Sequence, residues 1–362
     1  MGQVVSFSAV RARSSRPLVP QLIDSFASFR KDRLDVLWLK ENAELLNVLE
    51  TSGCKTSDGG LSGVSSDALE PLLPFYQSSL RHLNFFRQYY RFILSICLDL
   101  EDLGLPGSRA EVMADWIAQQ DIAAGELSDL QRAEARRLLA RRGVDLGGVE
   151  GLDDRLRAFM RQSRLFAVPN RKAAYELTHI VFYLTEYGRA PLVLEPEERQ
   201  SLLFAGLVAY LDQDADLLSE ICLSLIFCNE TPPQDWQDWL GQQTARFTLR
   251  PAQGRVGQDD YHPYLMCNWF QLVVGREGFS QADCTGSVVI EGPHGSGALR
   301  GMSMALYTLL DEAPGDWPRV RDPLFEALSV EDRSVLHRAE QSTPVFEPFF
   351  ETFARFGQVG SA

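Results

Sequence analysis

An acid and a histidine lie three residues apart in the stretch AAYELTHIVFYLTEYG, residues 173–188. Its apolar residues recur at spacings of three and four, which predicts a buried helix. Another face of that helix carries Glu176, His179, Tyr183 and Glu186, none of which a plain core helix needs. A Glu-x-x-His pair presents two metal ligands on one helix face in helical bundles. These four residues are therefore candidates for metal binding or for general acid–base catalysis.

A second acid–histidine pair, Asp259 and His262, occurs in the aromatic stretch DDYHPYLMCNW. Two helices can direct such pairs at one ion, so Glu176, His179, Asp259 and His262 are predicted to bind a divalent metal as the cofactor. A dinuclear carboxylate site would need glutamates from two further helices, and the sequence identifies none. The alternative is that His179 is a hydrogen-bonded core residue, with Glu176 and Glu186 facing solvent.

Three further motifs are incomplete. Residues 288–301 are similar to a phosphate-binding loop, but Ala298 and Leu299 stand where the lysine and the magnesium-binding hydroxyl belong, which favours a mobile glycine loop. The aspartates of LDQDADLL lack the glycine and glutamate of a calcium loop, and we expect Asp214 to cap the next helix. The acids of LDLED, residues 98–102, resemble the acidic motif of isoprenoid cyclases with a different spacing.

Acids also lie in the last turns of two predicted helices. The helix dipole disfavours negative charge there by up to about 1 kcal/mol, so a cation, an arginine or solvent must offset the cost. Residues 92–104 align with residues 176–188, and each segment ends in an acid, an apolar residue and glycine, which indicates a weak repeat. The arginines of residues 128–142 could bind an acidic ligand, but we expect them to pair with the acidic surface.

Helical periodicity recurs along the chain and predicts about a dozen helices joined by short connections. Residues 287–291 are the one candidate strand. The sequence therefore predicts an all-α fold of stacked antiparallel helical hairpins, with an α/α toroid or a solenoid as the candidate geometry. We expect a disordered tail at 1–20 and one extended helical domain at 21–362. Within that domain a sub-boundary is predicted near 143–151 and an irregular loop at 275–301.

Composition narrows the class of protein. The 362 residues carry a net charge of −14 with a pI near 4.9, which argues against nucleic acid or an anionic membrane as the main partner. No apolar run is long enough to predict a membrane span. The six cysteines form no C-x-x-C pair, as expected of reduced core residues. Arginine outnumbers lysine by 31 to 4, a bias typical of GC-rich bacterial genomes, so we expect a cytoplasmic bacterial protein.

Four segments together carry a resemblance: LWLKENAELLNVLE, YYRFILSICLDLEDLG, AYELTHIVFYLTEYG and DDYHPYLMCNW. The sequence resembles an uncharacterised alphaproteobacterial family, a domain of unknown function, over most of the chain. That resemblance supports a bacterial cytosolic protein and implies no activity. The helix ending in THIVFYLTEYG is also similar, more distantly, to helices of uncharacterised bacterial proteins predicted to be α/α toroid-like.

Two classes of function stay open at this point. In the first, the protein is a scaffold whose central polar pocket binds a small molecule or a protein, and its polar helix face is an internal hydrogen-bond network. In the second, it is a helical enzyme in which the face around His179 and His262 binds a metal or acts as general acid and base. The first is favoured, because no motif meets a strict catalytic pattern.

Overall fold

The computed structural model describes residues 18–53, 64, 66–280, 285–293, 295–309 and 315–354. This described part contains seventeen α-helices and two short strands, so the predicted helical fold class is confirmed. A π-helical segment at Ser25–Arg30 extends the first helix. The helices of the first half are α1 Leu18–Asp24, α2 Val36–Ser52, α3 Leu73–Phe85, α4 Tyr90–Asp102, α5 Arg109–Gln119, α6 Asp129–Ala140, α7 Leu152–Met160, α8 Ser163–Phe166 and α9 Arg171–Leu184.

The second half continues the helical pattern around two strands, β1 Thr248–Pro251 and β2 Val288–Glu291. None of the described helices has the length and apolar content that crossing a membrane requires. The helices are α10 Pro196–Leu211, α11 Ala215–Phe227, α12 Gln234–Thr244, α13 Tyr261–Val273, α14 Leu299–Thr308, α15 Trp317–Ala327, α16 Val330–Ser342 and α17 Phe346–Phe353.

Local capping decides where several helices begin. The first described helix begins at Leu18, inside the stretch predicted to be disordered, whose residues 1–17 lie outside the described residues. The predicted helix at 173–188 begins two residues earlier, because the Asn170 side chain accepts a hydrogen bond from the Ala173 N–H at 3.1 Å. Asp214 caps α11 as predicted, accepting from the Leu217 N–H at 3.2 Å.

Six helices form a closed ring. Their order around the ring is α2, α4, α6, α9, α11 and α13; each packs against the next, and α13 packs against α2. Other helices cover the outside of the ring: α3 and α5 pack on α4, α10 packs on α11, and α12 packs on both α11 and α13. Buried apolar side chains of the inner and outer helices form one continuous core. This ring is the arrangement that positions the candidate site, while the predicted toroid or solenoid class and the single domain stay predictions.

A small hairpin lies beside the ring. β1 pairs antiparallel with β2, and Thr248 lies opposite Glu291. The predicted strand at 287–291 corresponds to β2, but β1 was not predicted, because its four mostly exposed residues have no apolar alternation. In the following loop a Cβ atom on Gly297 would overlap the backbone of Asp212. The described part of this glycine loop is therefore packed against the turn between α10 and α11, and His294 lies outside the described residues.

Arginines at the end of α6 compensate the acids at the end of α4. Arg141 donates to Asp99 at 2.7 Å and to Asp102 at 2.6 Å. Arg142 donates to Glu101 at 3.0 Å and to Asp102 at 2.9 Å. A cation, an arginine or solvent could offset negative charge at a helix C-terminus, and at the end of α4 arginines do so.

The ends of α4 and α9 have the same cap geometry in a different register from the predicted repeat. In each, the N–H after a left-handed residue donates to the carbonyl five residues back, at 2.9 Å. That left-handed residue is Gly104 after α4 and Glu186 after α9, with φ of 105° and 47°. The predicted alignment placed Gly188 opposite Gly104 and is therefore shifted by two residues.

Replacing Asp102 by asparagine is expected to lower the free energy of unfolding by about 1 kcal/mol at pH 7, since the partly exposed pair is screened by solvent. Burial alone would raise the pKa of Asp102, but the hydrogen bonds from Arg141 and Arg142 hold it below its ordinary value. The stabilisation is therefore present at pH values above the pKa of Asp102 in the unfolded chain, which is about 3.9. It is lost as the pH falls through the lower pKa that Asp102 has in the folded protein. Urea unfolding of both proteins should show a difference that shrinks from pH 7 towards pH 3, and a constant difference would contradict this account.

Candidate binding site inside the helical ring

The ring encloses a cavity of about 570 Å³, a volume typical of small-molecule pockets. All six ring helices contribute side chains to its wall, so part of the polar face of α9 borders a shared cavity and not a dry core. The polar lining consists of Lys40, Glu44, Asn47, Gln88, Arg91, Ser95, Glu134, Arg137, His179, Asp216, Glu220 and His262; the apolar and aromatic lining consists of Ala43, Tyr89, Phe92, Leu138, Tyr175, Phe182, Tyr183, Tyr187, Met266 and Trp269.

Two acids and a histidine form one compact group in this wall. Asp216 and Glu220 lie one turn apart on α11, and His262 projects from the first turn of α13, which packs on α11. One potential ligand atom from each lies within 4.8 Å of the others. The Nδ1 atom of His262 lies 2.8 and 2.9 Å from the two carboxylate oxygens of Asp216. Tyr175 donates to the same carboxylate at 2.8 Å, so the orientation of Asp216 is fixed from two sides.

The acids around His262 favour its charged form. Burial disfavours a charged ring, but the Asp216 carboxylate, assisted by Glu44 and Glu220, outweighs burial and raises the pKa of His262 to about 10. Burial raises the pKa of Glu220, which accepts a 2.6 Å hydrogen bond from Thr178. In this arrangement His262 is protonated at neutral pH and can give a proton more readily than it can take one.

Arg137 of α6 is a second charged group in the wall, and it is under-satisfied. Its side chain is 3% exposed, and its guanidinium stacks over the Tyr187 ring at 4.4 Å. Nε lies 3.1 Å from a Glu186 oxygen, but without hydrogen-bond geometry, and neither Nε nor Nη2 has a hydrogen-bond partner among the described residues. Buried guanidinium groups are normally hydrogen-bonded, since an unsatisfied charged donor is costly. Arg137 therefore lines the cavity with two buried donors that no described residue satisfies.

Aromatic rings form the apolar part of the wall. Phe182, Tyr187 and Trp269 lie with ring centroids 5.3 to 5.7 Å apart, in tilted, edge-on and stacked arrangements. Phe227 packs behind them against all three rings. The indole Nε1 of Trp269 is buried without a hydrogen-bond partner among the described residues. Such a wall offers a flat apolar surface next to charged groups.

The structure places only part of the predicted face of α9 in the cavity. His179 and Tyr183 line it, and their rings pack against each other at 6.0 Å. The Nδ1 atom of His179 bonds the Tyr175 carbonyl at 2.7 Å, so Nδ1 carries the proton in this hydrogen bond. Glu176 and Glu186 do not line the cavity. Glu186 lies beyond the end of α9 and pairs with Arg137.

Of the four predicted metal ligands, His262 alone belongs to the compact acid–histidine group. Asp259 lies elsewhere, in a buried ion-pair network with Arg30 and Glu41. Arg30 donates to Asp259 at 2.8 and 2.9 Å and to Glu41 at 2.9 Å, with the three side chains between 0% and 2% exposed. Asp259 also accepts from the Ile290 N–H at 2.9 Å. Its contacts are structural, and they attach β2 to the segment before α13.

Replacing Asp259 by asparagine is expected to lower the free energy of unfolding by about 3 kcal/mol, because it leaves the buried Arg30 charge with Glu41 as its one remaining carboxylate. The measurement is urea unfolding followed by circular dichroism. The matched control is Glu176→Gln, which removes an acid of the same predicted ligand set outside the network and should change the value by less than about 0.5 kcal/mol. Equal effects of the two substitutions would contradict the structural role of Asp259.

Two residues of the site were not predicted. Glu220 could have been found from the sequence, because it is an acid within the mostly apolar segment LSEICLSLIF. Acids are almost never fully buried unless they are paired, so an acid in such a segment indicates a polar site. Arg137 belongs to the arginine-rich segment that could bind an acidic ligand, but that segment was expected to pair with the acidic surface, and only the packing of α6 against α9 selects Arg137. Asp216 was noted as part of an incomplete calcium motif, and the structure gives it a different partner, His262.

Comparison with known proteins identifies the family. A model of the family described as a domain of unknown function, DUF6902, matches residues 1–356. The chain belongs to the DUF6902 family. No curated protein and no solved structure matches the chain. The predicted membership in a family of unknown function is thereby confirmed.

Proposed function

We propose that this DUF6902 protein binds a small molecule with an anionic group in the ring cavity. The observation that carries the proposal is Arg137, a guanidinium that is almost fully buried, lines the cavity and has two nitrogens without hydrogen-bond partners among the described residues. A carboxylate accepts paired hydrogen bonds from the planar guanidinium fork better than other common groups do. A bound carboxylate would satisfy donors that the protein itself leaves unsatisfied.

The rest of the wall supports a ligand with an aromatic or apolar body. Tyr187 carries the Arg137 guanidinium on its ring, and Trp269 packs against Tyr187 at 5.7 Å. A flat apolar group beside these rings would bury surface while its carboxylate reaches Arg137. The cavity volume suits a molecule of metabolite size and is too small for a folded protein segment, so a small molecule is favoured over a protein partner.

A second candidate function is acid catalysis on the bound molecule. It is favoured by the Asp216–His262 pair, in which Asp216 occupies Nδ1 while His262 lines the same cavity as Arg137. Such a pair resembles in its geometry the carboxylate–histidine arrangement that orients a catalytic imidazole. If the protein turns over its ligand, His262→Gln should abolish turnover and leave carboxylate affinity at Arg137 unchanged within about a factor of three.

We also propose that the protein resides in the cytoplasm. Cys97, Cys222 and Cys267 are buried and unbridged. Reduced thiols of this kind are typical of reducing compartments. Fractionation of a native host with an antibody should find the chain with cytoplasmic markers.

Binding at Arg137 can be tested with aryl-alkyl carboxylates, namely phenylacetate, 3-phenylpropionate and indole-3-acetate, each paired with its primary amide. Isothermal titration calorimetry should show that the acids bind the wild-type protein more tightly than their amides. Arg137→Met should weaken binding of the acids by about 10- to 100-fold, the value of a charge-assisted hydrogen bond, and should remove the preference for acids.

Two further variants make the test specific. Arg136→Met removes the neighbouring arginine, which pairs with Asp153 and does not line the cavity, and it should bind the acids like the wild type. Arg137→Lys keeps the charge but not the fork, and it should give an intermediate affinity. The proposal fails if folded wild-type protein binds the acids no better than the amides, or if Arg137→Met binds them unchanged.

A further inference from the structure

Two carboxylates of the cavity wall, Glu44 and Glu220, lie near the same ring nitrogen of His262. The Nε2 atom of His262 lies 3.9 Å from Oε1 of Glu220 and 3.9 Å from Oε1 of Glu44. Glu44 comes from α2, Glu220 from α11 and His262 from α13, so three consecutive ring helices contribute one group each. All three residues line the cavity.

These atoms are too far apart to satisfy each other. A separation of 3.9 Å exceeds any hydrogen bond between nitrogen and oxygen, which lies at about 2.7–3.2 Å. Glu220 is 1% exposed; Thr178 donates to its Oε2, and no described residue makes a hydrogen bond to its Oε1. Oε2 of Glu44 is likewise buried without a hydrogen-bond partner among the described residues. An almost fully buried carboxylate oxygen without a hydrogen bond from the described residues therefore lies 3.9 Å from Nε2 of His262. A metal ion bound there would displace the proton that Nε2 carries at neutral pH.

The other ring nitrogen of His262 is held as in metal sites. Metal-binding histidines usually donate their second ring N–H to a carboxylate, which fixes the ring and its tautomer. Asp216 takes that position at Nδ1, and Tyr175 holds Asp216 in turn at 2.8 Å. This leaves Nε2 as the nitrogen that can coordinate a metal ion.

We propose that His262, Glu220 and Glu44 bind one divalent transition-metal ion, with Asp216 as the residue that positions His262. One imidazole and two carboxylates form a ligand set suited to zinc, manganese or iron. Bonds of about 2.0–2.2 Å place ligand atoms about 3.3–3.6 Å apart in a tetrahedral site, so each carboxylate has to approach Nε2 by about half an ångström. Glu44, which lies outside the compact group of Asp216, Glu220 and His262, also has to turn towards Glu220. The cavity leaves the remaining coordination positions open to water or to a bound molecule.

The local charge balance supports a cation. Asp216, Glu220 and Glu44 carry three formal negative charges, and the protonated His262 ring offsets one of them. Lys40 lies 3.8 Å from Glu44 but is 46% exposed at the margin of the group, so water screens it. The other cations of the cavity wall, Arg91 and Arg137, pair with other carboxylates, Arg91 with Glu126 and Glu134 and Arg137 with Glu186. A divalent ion would neutralise charge that the protein concentrates at this point.

The test is titration of full-length, chelator-treated protein with Zn²⁺ alone by calorimetry, and with Co²⁺ followed by visible absorption. We expect one Zn²⁺ per chain. His262→Gln and Glu220→Gln should weaken binding by more than about 100-fold, and Asp216→Asn by about 10- to 100-fold, as for other residues that orient a metal ligand. The Co²⁺ spectrum should lose intensity in the same variants.

Controls separate this site from surface binding and from misfolding. His337 is 50% exposed and lies outside the ring, so His337→Gln should bind Zn²⁺ like the wild type, as should Glu176→Gln. Glu44→Gln changes a partly exposed acid of the group and should weaken binding while the circular dichroism spectrum stays that of the wild type. Arg137→Met should leave Zn²⁺ affinity unchanged, so carboxylate binding and metal binding fail independently. The proposal is overturned if folded wild-type protein takes up no stoichiometric metal, or if His262→Gln and Glu220→Gln bind it unchanged.

Discussion

One buried guanidinium, that of Arg30, connects the two helices between which the ring closes, α2 and α13. Arg30 is fully buried at the end of the π-helical segment, and it bonds Glu41 on α2, Asp259 before α13 and the carbonyl of Val288 on β2. The contact between α13 and α2 is the one that turns a row of helices into a ring. A charge in this position is tolerated because two carboxylates and a carbonyl compensate it. Every property of the cavity depends on this closure, since an open row would leave its polar face to solvent.

Closure also explains why the interior of the ring is polar. Apolar residues of the ring helices and of the outer helices form one continuous core, and their burial stabilises the fold. The inward face is then free to carry groups that a bundle core would reject. Arg91 pairs with Glu134, and Asp216 pairs with His262, while two nitrogens of Arg137 have no hydrogen-bond partner among the described residues. The groups left unpaired in this interior are those on which the proposed ligand binding rests.

Periodicity was enough to predict the helices and one of the cavity walls, but not the assembly of the cavity. The polar face of α9 was visible in the sequence, and His179 and Tyr183 do line the cavity. Glu176 does not, because the lining face of α9 follows the spacing of Tyr175, His179 and Tyr183, and Glu176 falls at its margin. Which helices face each other is decided by contacts distant in sequence. The sequence alone therefore pairs His262 with Asp259, the acid of its own stretch. Its partner in the structure is Asp216 on α11, the helix next to α13 in the ring.

The turn after α9 has to meet a backbone requirement and a side-chain requirement at the same two residues. Glu186 and Tyr187 both have positive φ, at 47° and 55°, a conformation that costs an ordinary residue about 1 kcal/mol and glycine almost nothing. Glycine would suit the backbone, but it has no carboxylate to place beside Arg137 and no ring to place beneath it. The turn is locally unfavourable, but its two side chains contact the Arg137 guanidinium from α6, Glu186 at Nε and Tyr187 at the face of the group. Selection on residues 186 and 187 would then act through the electrostatics of the cavity, and ordinary turn preferences would be a poor guide to the residues tolerated there.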